Sequence, residues 1–270
     1  MLNILREKIQ EKGSAVGTFL GVTNVPLLEC LGYTGMDFVI IDTEHGPYDT
    51  QPMSDLIKSA ELAGMAPIVR VADVTHKEIQ RAVDNGAQGI IVPCLREVDE
   101  FKKAVDLAKF APIGNRGFIK GRGSGFGNEP WAAVSLEEYM KNSNEKVLML
   151  PQCETKEALE QIEEIVQIEG LDGIFIGPFD LSISMGIPGQ FDHPEFKKAV
   201  ARIMQACKNA GKLCMIFVSN VADAKYYIAE NIDGSCGPHN QCNAQCYIAN
   251  CGKNKVQYKF FRHSRKPPCQ

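Results

Sequence analysis

Residues 147–180 read VLMLPQCETKEALEQIEEIVQIEGLDGIFIGPFD, which is an apolar run, a stretch with apolar residues at helical spacing, and a second apolar run. The runs VLMLPQCE (147–154) and GIFIGPFD (173–180) are short and largely continuous, as in strands whose two faces are both covered by helices. The residues between them predict a helix that ends at Gly170. The stretch therefore predicts one β-α-β unit with parallel strands.

The same alternation of strand and helix runs through most of the chain. Seven strand-then-helix units can be counted. The remaining strands are predicted at AVGTFL (15–20), FVIIDTEH (38–45), APIVRV (66–71), GIIVPCL (89–95) and KLCMIFVSN (212–220). Seven units, with an eighth needed to complete a ring, favour a TIM-type (β/α)₈ barrel over an open sheet. We assign this catalytic barrel to residues 1–233.

Length and composition fit such an enzyme. The chain has 270 residues, 44% of them hydrophobic and 23% charged, and one barrel uses about 250 residues. A net charge of -4 gives no reason to expect nucleic acid as a partner. No apolar run approaches the roughly 20 residues that span a membrane, and the N-terminal residues lack the apolar core of a signal peptide. We therefore expect a cytoplasmic enzyme acting on small molecules.

In barrel enzymes the reactive side chains follow the carboxyl ends of the strands. Here those positions hold Asp42, Glu44, His45, Arg70, Gln152, Glu154, Asp180 and Ser182. Glu154 and Asp180 end neighbouring strands, so their carboxylates could bind one hard divalent cation such as Mg²⁺ or Mn²⁺. The alternative is that either acid caps the helix that follows it.

A proton-transfer pair and an anion-binding group are predicted beside these acids. Asp42 could orient the imidazole of His45 and raise its basicity, although an isolated histidine is also often structural. Arg70 is the only charged residue of its strand. It could bind a carboxylate or enolate, or pair with an acid on a neighbouring strand.

The predicted strands and their carboxyl ends contain no lysine that could form a Schiff base in the barrel. A metal ion would then have to accept the electrons in any aldolase reaction.

The chain resembles the class II pyruvate aldolases of the 2,4-dihydroxyhept-2-enedioate aldolase and 2-keto-3-deoxy sugar acid aldolase type, the HpcH/HpaI aldolase family. The resemblance covers about residues 5–230, and EHG and GPxDLSxSMG are its most specific parts. The matching segments are GTFLG (17–21), DFVIIDTEHGPYD (37–49), PIVRV (67–71), QCE (152–154) and IGPFDLSISMG (176–186).

The resemblance implies a role for each candidate residue. Glu154 and Asp180 would bind Mg²⁺, Mn²⁺ or Co²⁺, and His45 with Asp42 would be the catalytic base. Arg70 would stabilise a pyruvate enolate, and Gln152, Arg70 and Ser182 would bind the substrate. The implied reaction cleaves a 4-hydroxy-2-oxo acid to pyruvate and an aldehyde, or forms it from them. The family usually forms hexamers, so a homo-oligomer is also implied.

Residues 234–270 differ in composition from the rest of the chain. They contain six of the 29 Lys and Arg, none of the 33 Asp and Glu, and five of the ten Cys. Because they offer neither an apolar strand nor a long amphipathic helix, we expect the eighth strand and C-terminal helix to be missing. The barrel would then be open between its seventh and first strands.

Three interpretations of this Cys-rich basic tail are open. A shifted reading frame in the coding sequence would produce such a change of composition. The tail could also be a disordered basic segment. A structural zinc site is the third interpretation, with ligands drawn from Cys236, His239, Cys242, Cys246 and Cys251.

Two further functions compete with the pyruvate aldolase. One is a related metal-dependent lyase acting on acyl-CoA substrates. The other is a catalytically silent barrel with a binding role.

Overall fold

The computed structural model describes residues 3–47, 49–230 and 232–237, with only the backbone described for 235–237. Strands and helices alternate along this part of the chain. The strands are β1 (Ala15–Leu20), β2 (Phe38–Asp42), β3 (Ala66–Arg70), β4 (Gly89–Ile91), β5 (Leu148–Met149), β6 (Gln152–Cys153), β7 (Gly173–Ile176), β8 (Leu213–Phe217) and β9 (Gly234–Gly237). The helices are α1 (Ile4–Lys12), α2 (Val25–Tyr33), α3 (Thr50–Leu62), α4 (His76–Asp84), α5 (Val98–Ala108), α6 (Leu136–Lys146), α7 (Lys156–Glu160), α8 (Ile162–Ile165), α9 (Pro178–Ser184), α10 (Pro194–Ala210) and α11 (Val221–Ala229), with a 3₁₀ turn at Arg122–Gly127.

The strands form one parallel sheet in the order β5-β4-β3-β2-β1-β9-β8-β7-β6. Its two ends, β5 and β6, are halves of one strand separated by Leu150 and Pro151. Hydrogen bonds continue across this break, from Leu150 N to Ile90 O (2.9 Å) and from Phe175 N to Pro151 O (3.0 Å). Pro151 has no N–H to donate, which interrupts the ladder. The sheet is therefore closed into an eight-stranded (β/α) barrel, as predicted.

The predicted opening of the barrel is wrong. Strand β9 pairs in parallel with β1, from Ala15 to Thr18, and with β8, from Met215 to Phe217. It lies in the first four residues of the segment we assigned to the tail, so the barrel extends beyond residue 233. Backbone pairing needs no apolar side chain, and at Gly234 a Cβ would collide with Met215 (2.6 Å to its Cε). The absence of an apolar run was therefore poor evidence against a strand.

Residues 238–270 lie outside the described residues. The predicted zinc ligands beyond Cys236, the disordered tail, the reading-frame shift and the C-terminal helix all concern this region.

Two apolar layers hold the barrel together. Alternate residues of each strand face inward, so Phe38 and Ile40 pack inside the barrel with Phe175 and Met215. Their neighbours, such as Val39, pack outward against the surrounding helices. This alternation follows from the two-residue period of a strand, and it leaves the polar residues at the strand ends to form the mouth.

Helix α1 covers the amino-terminal end of the barrel. The Asn3 side chain caps this helix through Arg6 N (3.1 Å) and donates to the carbonyl oxygens of Gln88 (2.8 Å) and Lys146 (2.7 Å). Leu5 and Ile9 of α1 join the inner apolar layer. The mouth at the carboxyl ends of the strands is therefore the accessible end of the barrel interior.

The glycine-rich loop at 111–130 suggests a lid, an inter-subunit element or a disordered insertion. The structure places it against the outside of the barrel, where Arg122 pairs with Glu61 (2.6 Å) and donates to Asn85 O (2.8 Å). Glu61 and Asn85 lie at helix ends that precede strands, so this loop is remote from the mouth and is not a lid. Among the described residues, no helix is long and apolar enough to cross a membrane.

Candidate active site

Five of the predicted residues lie together at the carboxyl ends of the strands. Asp42 ends β2, Arg70 ends β3, Gln152 begins β6, and Glu154 follows β6 directly. Asp180 lies in the first turn of α9, which begins two residues after β7. The closed ring brings these positions, far apart in sequence, to one mouth.

Arg70 is held in a fixed orientation. Its Nε and Nη2 donate to the two carboxylate oxygens of Asp42 at 2.8 and 2.7 Å. Its Nη1 lies 2.9 Å from Glu44 Oε2, without hydrogen-bond geometry, and 3.5 Å from Gln152 Oε1. The guanidinium also stacks on Phe19, with Cζ 4.7 Å from the ring centre. Such a fixed, charged donor is suited to a carboxylate or enolate oxygen.

Glu154 is buried beside this guanidinium. One carboxylate oxygen accepts from Cys94 N at 2.6 Å, and the other accepts from Gln152 Nε2. Burial, together with the nearby carboxylates of Asp180 and Glu44, raises the pKa of Glu154 to about 7, against the lowering effects of the Cys94 N–H and of Arg70. A buried carboxylate crowded by others gains stability when a cation neutralises the group.

Gly177 makes room for Glu154. A Cβ at this position would collide with Glu154 Oε2 and lie 2.9 Å from Gln152 Nε2. The glycine of the GPFD segment therefore accommodates the buried carboxylate and amide, a packing role that spacing in the sequence does not reveal.

The predicted pairing of Asp42 with the His45 imidazole is wrong in this structure. Both carboxylate oxygens of Asp42 bind Arg70, and Asp42 Oδ1 also accepts from Glu44 N at 3.2 Å. The His45 side chain is 72% exposed, and its Nε2 lies 3.8 Å from Glu44 Oε1. Arginine outcompetes the imidazole because it binds both oxygens of one carboxylate at once.

Ser182 is also placed differently from the prediction. It is fully buried within α9. Its hydroxyl donates to Phe179 O at 2.7 Å and accepts from Gly189 N at 3.0 Å. These bonds fix the loop after α9, so the structure does not bring Ser182 to the mouth.

The mouth contains a cavity of about 220 Å³. Its polar side includes Asp42, Arg70, Gln152 and Asp180. Its lining also includes aromatic rings, among them Phe19, Phe179 and Phe217. This volume is below the about 300–1,000 Å³ of drug-sized pockets, and so it suits a small substrate.

A larger groove of about 880 Å³ lies at the opposite end of the barrel, around Arg6, Lys109 and Asp172. Lys109 Nζ already donates to Asn144 O, Val147 O and Asp172 Oδ2 at 2.7, 2.5 and 2.8 Å. Arg6 binds the other Asp172 oxygen at 2.5 Å. These charges are used in holding the fold, so the mouth is the better candidate for the site.

Some residues of the site had no role in the sequence analysis. Glu44 approaches both Arg70 and His45, and Cys94 N binds Glu154 from a backbone with φ of 60°. Phe19 is the last but one residue of β1 and Phe217 is the last residue of β8, two strands that were predicted correctly. Their positions at strand ends were a usable indication, but apolar residues there are more often part of the core.

The donor set fits a divalent cation. Glu154 and Asp180 offer hard oxygen ligands in surroundings where the negative charges already disfavour one another. Among the described residues, no three His, Cys, Asp or Glu side chains form a group that could hold a metal ion by itself. A cation here would therefore need further oxygens from water or substrate.

The model of the HpcH/HpaI aldolase/citrate lyase family matches residues 15–234. The chain belongs to this family. It is 31% identical over 229 residues to a 4-hydroxy-2-oxo-heptane-1,7-dioate aldolase from Salmonella dublin, covering 84% of this chain and 85% of that protein. Its chemistry is that of a carbon–carbon lyase.

Solved structures agree with this membership. A family protein from Burkholderia cenocepacia J2315 superposes with a TM-score of 0.78 at 28% identity, covering 88% of this chain and 93% of the other. The citrate synthase SbnG superposes with a TM-score of 0.77, also at 28% identity, covering 90% and 93% of the two chains.

Proposed function

We propose that this HpcH/HpaI family member is a divalent-metal-dependent pyruvate aldolase. It would cleave the C3–C4 bond of a 4-hydroxy-2-oxo acid to give pyruvate and an aldehyde, or form that bond. The observation that carries the proposal is the convergence of Glu154 and Asp180 beside the fixed guanidinium of Arg70. The name of the Salmonella dublin relative supports the same substrate class.

Each residue of the site would have its own role in this reaction. Glu154 and Asp180 would hold the cation, which can be Mg²⁺, Mn²⁺ or Co²⁺. When bound, it supplies a Lewis acid for the 2-oxo group of the substrate. Arg70, positioned by Asp42, would donate hydrogen bonds to the negative oxygen that develops on the pyruvate part. Gln152 would orient Glu154 and the substrate.

Proton transfer is assigned to His45. Its exposed imidazole would accept the proton of the C4 hydroxyl, directly or through water. As that proton leaves, the C3–C4 bonding electrons pass to the pyruvate part and C4 becomes the aldehyde carbonyl. A proton delivered to C3 then completes pyruvate. Glu44 Oε1 lies 3.8 Å from His45 Nε2, where it can contact the imidazole after the proton transfer.

The test is pyruvate release from 4-hydroxy-2-oxo acids by the purified full-length chain. Activity should disappear with EDTA and return with Mg²⁺, Mn²⁺ or Co²⁺. Glu154→Gln keeps the shape but removes a charged ligand, and it should lower kcat at least about 100-fold. Glu160→Gln, a change at an exposed acid in the next helix, is the matched control. Metal-independent cleavage, or full activity in Glu154→Gln, would contradict the proposal.

A homo-oligomer is part of the same proposal. Tyr33 and Leu62 are 85% and 90% exposed, and Phe126 is 72% exposed. A partner subunit that covered these groups would remove their apolar area from water. Light scattering coupled to size exclusion should give a mass above the 29.7 kDa of one chain, and a monomer would contradict this part of the proposal.

A further inference from the structure

One side of the mouth is a continuous aromatic wall, which we define as Phe19, Phe217 and Phe179. It begins at Arg70, whose Cζ lies 4.7 Å from the ring centre of Phe19. The Phe19 and Phe217 ring centres are 5.9 Å apart, and so are those of Phe217 and Phe179. Phe179 is 45% exposed. The wall therefore leads from the guanidinium to the rim.

Two further rings hold the wall in place. Phe175, which is buried, meets Phe19 edge-to-face at 6.0 Å, and Phe191 meets Phe179 edge-to-face at 5.0 Å. Edge-to-face pairs at these distances are favourable geometries for aromatic side chains. The wall is therefore a preformed apolar surface rather than a set of freely moving side chains.

Few of the residues that line the cavity are charged. Of the described residues that line it, Arg70 is the only cation, and it is already bound to Asp42 and within 2.9 Å of Glu44. Asp180 adds a negative charge at the same mouth. A carboxylate lying along the aromatic wall would meet no uncommitted cation among the described residues that line the cavity, and a charge buried without a partner is disfavoured.

We infer that the aldehyde part of the substrate is apolar, an aliphatic or aromatic aldehyde without a carboxylate. This inference rests on the proposed function, which places the 2-oxo acid end at Arg70, Gln152 and the two candidate metal ligands. The aldehyde chain then lies on the aromatic wall and leaves the cavity past Phe179. The name of the Salmonella dublin relative includes a second carboxylate at C7, and this chain differs from it in acceptor class.

A matched pair of substrates tests the inference. The compounds 4-hydroxy-2-oxoheptanoate and 4-hydroxy-2-oxoheptane-1,7-dioate have the same carbon chain and differ in ending with a methyl group or a carboxylate. Cleavage releases pyruvate from both, with butanal or a four-carbon aldehyde acid as the second product. We expect kcat/KM to be at least about tenfold higher for the monoacid. An equal or higher value for the dioate would overturn the inference.

Substitutions at the rim provide a second readout. Phe179→Lys adds a cation to the wall at an exposed position, so it should lower kcat/KM for the monoacid and raise it for the dioate. Phe179→Leu keeps an apolar surface and should retain the monoacid preference. Ile183→Ala, a change at an exposed residue of the same helix outside the cavity lining, is the control. The ratio of kcat/KM for the monoacid to kcat/KM for the dioate should therefore fall in Phe179→Lys. A ratio equal to that of the unsubstituted protein would also overturn the inference.

Exchange of the pyruvate methyl protons in D₂O separates the two proposals. This exchange needs only the pyruvate half of the site and no aldehyde. Exchange without the monoacid preference would reject the aromatic wall as the acceptor site and leave the proposed function standing. Absence of exchange with metal present, from a folded protein, would reject the proposed function and this inference with it.

Discussion

Arg70 has its orientation set by neighbouring strands. Asp42, the last residue of β2, binds it through two hydrogen bonds, and Phe19 of β1 packs against its face. A lysine would keep the charge but lose the planar, two-pronged contact. The role of Arg70 therefore depends on the geometry of its guanidinium as well as on its charge.

Arg70→Lys should lower kcat/KM for pyruvate release by roughly 100-fold to 1,000-fold, as expected when one donor to a developing oxyanion is lost. The measurement is steady-state cleavage with saturating Mn²⁺. Arg96→Lys changes an exposed arginine that pairs with Glu157, and it should stay within about twofold. A fall of less than about tenfold in Arg70→Lys would show that Arg70 is not an oxyanion donor.

Gly177→Ala should displace Glu154, because the added Cβ would collide with its carboxylate. A shift of about 1 Å in a reacting group lowers rates by about 100-fold, so we expect a fall of 10-fold to 100-fold in kcat. Because Gly177 and Glu154 are both buried, the collision should also lower the free energy of unfolding, by about 1–3 kcal/mol. Unchanged kinetics would mean that Glu154 need not keep the position seen here, and Ile183→Ala serves as the control on the same helix.

At the scale of elements, the buried ammonium of Lys109 connects helices and strands at the end of the barrel opposite the mouth. Lys109, just after α5, is 2% exposed and binds α6 through Asn144 O, the start of β5 through Val147 O, and Asp172 before β7. Desolvation lowers the pKa of Lys109, while Asp172 raises it. Its three donors have three acceptors, so the charge is retained at low exposure.

Lys109→Met removes those three hydrogen bonds, so Asn144 O and Val147 O lose this donor, while Asp172 keeps its bonds from Arg6 and Met149 N. Breaking a buried pair in this way costs about 3–5 kcal/mol, so we expect the free energy of unfolding to fall by about 3 kcal/mol in urea denaturation. Lys102→Met, at an exposed pair with Asp99, should change it by less than about 1 kcal/mol. Equal effects from the two variants would contradict the role assigned to Lys109.

The sequence predicted the helices and strands whose formation depends on the type of side chain. Apolar runs predicted the strands from β1 to β8, and Gly64, Gly86 and Gly211 have the positive φ of helix ends. The single helix predicted to end at Gly170 is wrong, because the structure has two short helices, α7 and α8, and the second ends at Ile165. The prediction also failed at β9, because Gly234 contributes backbone and space rather than apolar area.

The site could also be predicted only in part. Location at the carboxyl ends of the strands correctly predicted which side chains lie together, namely Asp42, Arg70, Gln152, Glu154 and Asp180. The choice of partner could not be predicted, since Arg70 and His45 both lie within reach of Asp42 and only three-dimensional geometry decides between them.

At the scale of the whole molecule, ring closure brings the half-buried acid Asp233 next to β9. Asp233 N donates to Cys214 O at 2.8 Å, and Asp233 Oδ2 accepts from Cys214 N at 2.9 Å. Burial raises the pKa of Asp233 from 3.8 to about 6. The folded chain then binds this proton more tightly than the unfolded chain, so stability should fall as the pH rises from about 4 to about 6.

Asp233→Asn removes that titration. We expect the variant to be more stable than the unsubstituted protein at pH 7.5, by about 1–2 kcal/mol, with the difference vanishing near pH 4. Urea denaturation at the two pH values measures it, and Asp192→Asn, a change at an exposed acid, is the control. A variant that is less stable at pH 7.5 would show that the ionised carboxylate is needed to close the ring.

The central claim is that Glu154 and Asp180 together bind the cation on which the lyase reaction depends. Electron paramagnetic resonance can count bound Mn²⁺ directly in the full-length protein, in Glu154→Gln, in Asp180→Asn and in the control Glu160→Gln. We expect one Mn²⁺ per chain in the unsubstituted protein and the control, and a loss of Mn²⁺ affinity of about 10-fold to 100-fold in each of the other two variants. Unchanged Mn²⁺ affinity in both ligand variants would contradict this claim.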